Sequence, residues 1–235
     1  MKPYQYIPIC ECNEPLIAID PNLFVLEHPS PYAKLGADYG DRSPYFLREC
    51  VYNKLIIARE GLQQSHPNWQ IKVFDAYRPV AVQQFMVDYT FNSVLQENNW
   101  QMTELSPEKL DAIWAQVYTM WAVPNFDRST PPPHSTGAAV DLTLVDGGGN
   151  IVDMGGEIDE LGDRSHPDYY NESRDDRAPI YRSNRELLNN ILIDLDFRRH
   201  PNEWWHFSYG DQLWAWLKNR ENPAVDCHAK YGRVE

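Results

Sequence analysis

Two segments far apart in the chain, PPPHSTGAAVDLTLV at 131–145 and NEWWHF at 202–207, place the tightest demand on how it can fold. The first sets His134 in a proline-stiffened loop and Asp141 in a run where Val140, Leu142 and Leu144 alternate with Asp141 and Thr143. Alternation of this kind belongs to a strand with one apolar face, and it turns Asp141 to the other side. A carboxylate among apolar neighbours calls for a strong partner such as a cation. The second segment supplies His206, with Glu203 three positions before it. Two imidazoles, a carboxylate and a further acid match a catalytic zinc set, in which three protein ligands leave the fourth position to water. A fold that uses them must bring residue 206 back beside residues 134 and 141.

Glu203 carries a condition of its own, because residues three apart point to opposite faces of a regular strand. With Pro201-Asn202 just before it, Glu203 is expected at a turn ahead of the ladder, where its side chain and that of His206 can converge. A carboxylate beside Trp204 and Trp205 should hold its proton more tightly than usual, which suits it to take a proton from water. The other histidines, His28, His66, His166, His200 and His228, are read as ordinary polar surface groups.

Arg78 is a second centre of interest. Ile71, Val73 and Asp75 alternate with Lys72, Phe74 and Ala76 in a short β-favouring run, and Pro79 follows Arg78 as an expected first helical residue. The arginine therefore stands at a strand-to-helix junction. A permanent cation held at a rigid corner can meet developing negative charge without changing its protonation.

The rest of the chain reads as mixed α and β structure. Val51, Leu55, Ala58 and Leu62 recur at helical spacing and predict a helix over 49–64. A second helix should run from Pro79 to about Glu97, and Ser106-Pro107-Glu108 marks the capped start of a third. Residues 122–135 are expected as a loop, and Asp146-Gly147-Gly148-Gly149 as the turn of a hairpin. A helix over 185–197, a strand over 204–209 and a helix over 211–218 complete the reading. The element order suggests α+β with a central antiparallel sheet flanked by helices.

With 235 residues, no linker and no repeat, the chain is expected to form one domain over 1–235. Hydrophobic residues at 43% and charged ones at 23% are ordinary globular values. The net charge of −13 argues against a nucleic-acid partner, which needs clustered Lys and Arg. No run approaches ~20 apolar residues, so no membrane span is expected. The N-terminal residues, interrupted by Glu11, Asn13, Glu14 and Pro15, do not read as a signal peptide, and a cytoplasmic protein is expected. Cys10, Cys12, Cys50 and Cys227 fit neither a zinc ribbon nor a disulfide framework and are expected as reduced, partly buried thiols.

The segments FDAYRP, HSTGAAVDLTL, MGGEIDELGDRSH and EWWH, in that order between Phe74 and His206, resemble those of VanX-type D-alanyl-D-alanine dipeptidases, zinc peptidases related to D,D-carboxypeptidases and to the Hedgehog domain. The resemblance implies one Zn²⁺ per chain on His134, Asp141 and His206, Glu203 as general base, and Arg78 as the oxyanion partner. It implies too that Asp159 holds the free amino group of a small dipeptide substrate, with Asp163, Arg164, Ser165 and His166 fixing the loop. Two features depart from the family: Pro132 stands where a serine is common, and the N-terminal third leaves Tyr32, Tyr39 and Tyr45 equally eligible as substrate contacts. A peptidoglycan D,D- or L,D-carboxypeptidase would share the zinc residues, and so would a non-catalytic zinc module. The presence of both Glu203 and Arg78 favours an enzyme.

Overall fold

The apolar alternation of residues 139–145 organises the molecule. In the computed structural model, which describes residues 2–235, the elements run in the order β1 (Leu16–Ala18), β2 (Val25–Leu26), α1 (Pro31–Lys34), β3 (Phe46–Arg48), α2 (Glu49–Ser65), β4 (Gln70–Asp75), α3 (Val80–Glu97), α4 (Pro107–Met120), β5 (Ala139–Val145), α5 (Ala178–Ile193), β6 (Arg198–Arg199), β7 (His206–Ser208) and α6 (Gln212–Glu221). The main sheet has the order β2-β4-β5-β7-β6, with β5 at its centre, and β1 pairs with β3 in a separate ribbon. The architecture is α+β. The sheet is antiparallel except at one edge, where β2 lies parallel to β4; so short an edge strand left no periodic trace in the sequence.

One face of the sheet is dry. Val140, Leu142 and Leu144 of β5 join Ile71, Val73 and Phe207 in a core covered by Val51, Leu55 and Leu62 of α2, Leu188 and Leu192 of α5, and Trp214 of α6. Burying a side chain such as Leu55 contributes about 1.5–3 kcal/mol. That exceeds any single helix propensity, so the stripe rather than the backbone preference holds α2 in place. A second cluster joins Val82, Met86 and Phe91 of α3 to Ile113 and Val117 of α4, and takes in Tyr32 and Trp121 beside the sheet's other face.

Local signals account for some element ends. Ser106 caps α4, its Oγ accepting from Lys109 N at 3.3 Å, with Pro107 in the first turn. Asp211 caps α6 by accepting from Trp214 N. Pro79 precedes α3 as its N-cap instead of opening the helix; Glu235 Oε1 accepts from Val80 N at 2.7 Å. The helix expected over 185–197 begins earlier, at Ala178-Pro179, and ends at Ile193. The strand expected over 204–209 is confined to His206–Ser208. The turn at 146–149 forms, but its return is a single bridge, Val145 to Ile151, and not a hairpin strand. All four cysteines are free; Cys50 and Cys227 are half-buried, whereas Cys10 and Cys12 are exposed, because residues 10–12 run along the surface beside Ala229 and Lys230. Among the described residues no helix is long and apolar enough to cross a membrane.

Candidate metal centre and active site

Asp141 and His206 are direct cross-strand partners on β5 and β7. The ladder therefore sets their side chains next to each other on the face opposite the core. His134 reaches the same point from the 3-10 turn Pro133–Thr136 just before β5. That turn closes through Gly137 at a left-handed φ of 70°, where an added Cβ would lie 2.4 Å from Leu16 Cδ2. Glycine meets both conditions without strain or a shift of Leu16.

The ligand atoms of the three buried side chains lie within 4.8 Å of one another. Each imidazole has its outer nitrogen engaged. His134 Nδ1 donates to the Ala76 carbonyl at 2.7 Å, and His206 Nε2 lies 3.3 Å from Ser208 Oγ, which itself donates to Asp211 Oδ2 at 2.8 Å. His134 Nε2 and His206 Nδ1 are left facing Asp141, at 3.3 Å from Oδ2 and 3.1 Å from Oδ1. Metal-binding histidines are oriented by outer bonds of this kind. Two imidazoles and one carboxylate fit Zn²⁺ by donor type.

Charge supports that fit. Burial disfavours ionisation of His134, but Asp141 overrides it and raises the imidazole above its ordinary range. Against the same burial, His134 and His206 hold the Asp141 carboxyl far below its usual range. Burial pushes His206 down, with Asp141 opposing. One carboxylate thus serves two imidazoles, an arrangement open to a cation.

Glu203 lies in the turn ahead of β7, clear of the ladder's alternation, with Oε2 3.7 Å from His206 Nδ1. Burial and then the charge of Asp141 push its pKa well above the ordinary carboxylate value. His200, assigned to the surface from sequence, is half-buried here instead: Nδ1 lies 3.5 Å from Glu203 Oε1 and accepts from Asn202 N at 3.2 Å. The turn at Pro201-Asn202 folds it inward. His28, His166 and His228 are exposed and His66 is half-buried, all outside the cluster.

Arg78 is buried on the opposite flank. Its Nε donates to Asp75 Oδ2 at 2.9 Å, Nη1 to Gln83 Oε1 at 2.8 Å and Nη2 to Tyr32 OH at 2.7 Å, while Nη2 lies 3.5 Å from Asp141 Oδ2. The guanidinium also lies over the rings of Tyr32 and Trp121. Burial works against its charge, yet Tyr32, Asp75 and Asp141 keep it firmly protonated. Asp75 reaches Arg78 through a bulge: Val73 pairs with Leu142 and Asp75 with Asp141, so the register skips Phe74 and turns Asp75 from the core face to the site face.

Asp159 is half-buried and has a left-handed φ of 64° in the loop after β5. Tyr32 OH donates to its Oδ2 at 3.0 Å. Burial first, then Asp141, push its carboxyl up to about 7, against the pull of Arg78 and of the Tyr32 bond. Arg185 holds this loop, donating to the carbonyls of Met154, Arg164 and His166. Ser165 fixes it from the other side, its carbonyl accepting from Trp204 N at 2.9 Å.

Of the three tyrosines, Tyr32 bridges Arg78 and Asp159, Tyr39 bonds Asp75 at 3.3 Å, and Tyr45 bonds the Glu27 carbonyl. The residues that the sequence pattern does not single out are Asp75, Gln83, His200, Ser208 and Asp211. Only Asp75, three positions before Arg78, carries a local signal.

Known proteins resemble this chain along most of its length. The family model described as D-ala-D-ala dipeptidase matches residues 26–228. A D-alanyl-D-alanine dipeptidase of Synechocystis sp. is 53% identical over 100% of this chain and 98% of its own length. That of Escherichia coli is 47% identical over 32% of this chain and 36% of its own. A solved vancomycin-resistance D,D-pentapeptidase in complex with Zn(II) aligns at a TM-score of 0.44 and 16% identity, covering 88% of this chain and 93% of that one. By the extent of the family match and the full-length relative, the chain belongs to the D-Ala-D-Ala dipeptidase family.

Proposed function

We propose that the chain is a zinc-dependent dipeptidase that hydrolyses D-Ala-D-Ala or a closely related short D-amino-acid dipeptide, with His134, Asp141 and His206 as the zinc ligands. The observation that carries the reading is the converging set itself: three ligand atoms within 4.8 Å, each imidazole braced from behind. Bound Zn²⁺ supplies Lewis acidity, which polarises a carbonyl and brings the pKa of water towards 7.

The chain's own groups do the rest. Glu203, its proton affinity raised by burial, takes the proton as water attacks the scissile carbonyl. Arg78, locked by Asp75, Gln83 and Tyr32, faces the oxyanion that forms, with no reorganisation at the moment of reaction. Glu203 returns the proton to the leaving amine, the C–N bond breaks, and two amino acids depart. Asp159, with Tyr32, receives the substrate's ammonium and so confines the site to peptides with a free N-terminus.

A panel of D-Ala-D-Ala, N-acetyl-D-Ala-D-Ala and a muropeptide, read as released amino acid, tests the reading. Hydrolysis of the free dipeptide alone is the expected result. Efficient cleavage of the blocked or long substrates would remove Asp159 as the ammonium anchor and favour a carboxypeptidase.

A further inference from the structure

A free dipeptide carries charge at both ends, an ammonium and a carboxylate, and Asp159 with Tyr32 answers only the first. Two Lys or Arg side chains line the cavity that holds the metal cluster, Arg78 and Lys2. Arg78 is already committed to Asp75, Gln83 and Tyr32, and it stands on the flank of Asp159. Lys2 has no such commitment, and it lines the same cavity as Glu203 and His200.

The lysine is held there by backbone. It precedes the 3-10 turn Pro3–Tyr6, and its own N–H donates to Gln5 Oε1 at 2.8 Å. Gln212 at the start of α6 ties the following residues down, donating to the Ile7 carbonyl at 2.7 Å, and Tyr4 is buried beneath. Lys2 itself is half-buried, and among the described residues its ammonium enters no ion pair. A partly desolvated ammonium outside any ion pair is costly, and an arriving carboxylate would supply a direct partner. Pro132 and Pro133 on the same wall have no N–H to offer. Residue 2 also lies outside residues 26–228 matched by the family model.

Resting on the dipeptidase reading of the same site, we propose that the Lys2 ammonium anchors the substrate's C-terminal carboxylate, with Asp159 and Lys2 marking the two ends of a zwitterionic dipeptide laid across the metal centre. Lys2 would then determine specificity by length and by the free C-terminus, without touching the reacting atoms.

Steady-state kinetics on D-Ala-D-Ala and D-Ala-D-alaninamide for the wild type, Lys2→Ala and Lys2→Arg test this. The wild type should prefer the free acid by about tenfold or more in KM, as expected for a charge-assisted contact. Lys2→Ala should lose that preference through KM, with kcat changed by less than about threefold, and Lys2→Arg should keep most of it. Equal KM values for Lys2→Ala and wild type on the free acid would overturn the proposal. So would an equal loss on acid and amide, which marks a structural role. A wild type inactive on both substrates would instead overturn the dipeptidase reading.

Discussion

The two faces of β5 do opposite things within seven residues. Val140, Leu142 and Leu144 face a core of aliphatic and aromatic side chains, while Asp141, one step along the same backbone, faces His134, His206 and Arg78. The dry face is non-directional and gains stability from area removed from water. The charged face gathers groups that burial penalises and that only specific partners make tolerable. The same ladder serves both, since a strand's period of two separates packing from chemistry without a loop between them. A one-residue slip would exchange them.

Substitutions on the two faces should have different effects. Leu142→Ala, on the core face, should lower unfolding stability by about 2–5 kcal/mol in denaturant titration, while the zinc content of the folded fraction stays at that of the wild type. A stability loss below about 0.5 kcal/mol, the size typical of a surface change, would show that the core face does not carry the fold.

On the charged side, Asp159 makes the molecule sensitive to pH. Its carboxyl, pushed up to about 7, holds a proton more tightly in the folded chain than in the unfolded one, where the ordinary value is 3.8. It therefore supports the fold below about pH 4 and loses that contribution as pH rises through about 7. On the proposed role of Asp159, binding runs the other way, because a substrate ammonium would require the ionised form. KM for a free dipeptide should rise by up to about tenfold per unit as pH falls below 7, and Asp159→Asn should flatten that limb while raising KM throughout. An unchanged KM between pH 7 and 5.5 would show that Asp159 does not titrate against substrate.

Much of this is legible in residue order. The alternation in 139–145 places Asp141 on the face away from the core, the spacing of Val51, Leu55, Ala58 and Leu62 gives α2, and Pro201-Asn202 signals that Glu203 lies outside the ladder. What escapes is set by tertiary packing. His200 looks like any surface histidine until the turn after it folds the ring against Glu203. The bulge at Phe74 turns Asp75 away from the face its alternation implies. Arg185 resembles a helix start, yet it sits inside α5 with its guanidinium spent on three carbonyls of the Asp159 loop. Lys2 lines a cavity whose proposed metal-binding and catalytic members lie far along the chain, from Arg78 onward, a distance that no local pattern spans.

On the proposed reading the charged face holds zinc through His134, Asp141 and His206 while Glu203 moves protons beside it. Elemental analysis of zinc per chain, paired with D-Ala-D-Ala hydrolysis, tests it in the wild type, Glu203→Ala and His206→Ala. The wild type and Glu203→Ala should each hold one zinc, Glu203→Ala should lose hydrolysis by about 10²–10⁴-fold or more, and His206→Ala should lose both metal and activity. Full hydrolysis by Glu203→Ala, or stoichiometric zinc in His206→Ala, would contradict the account.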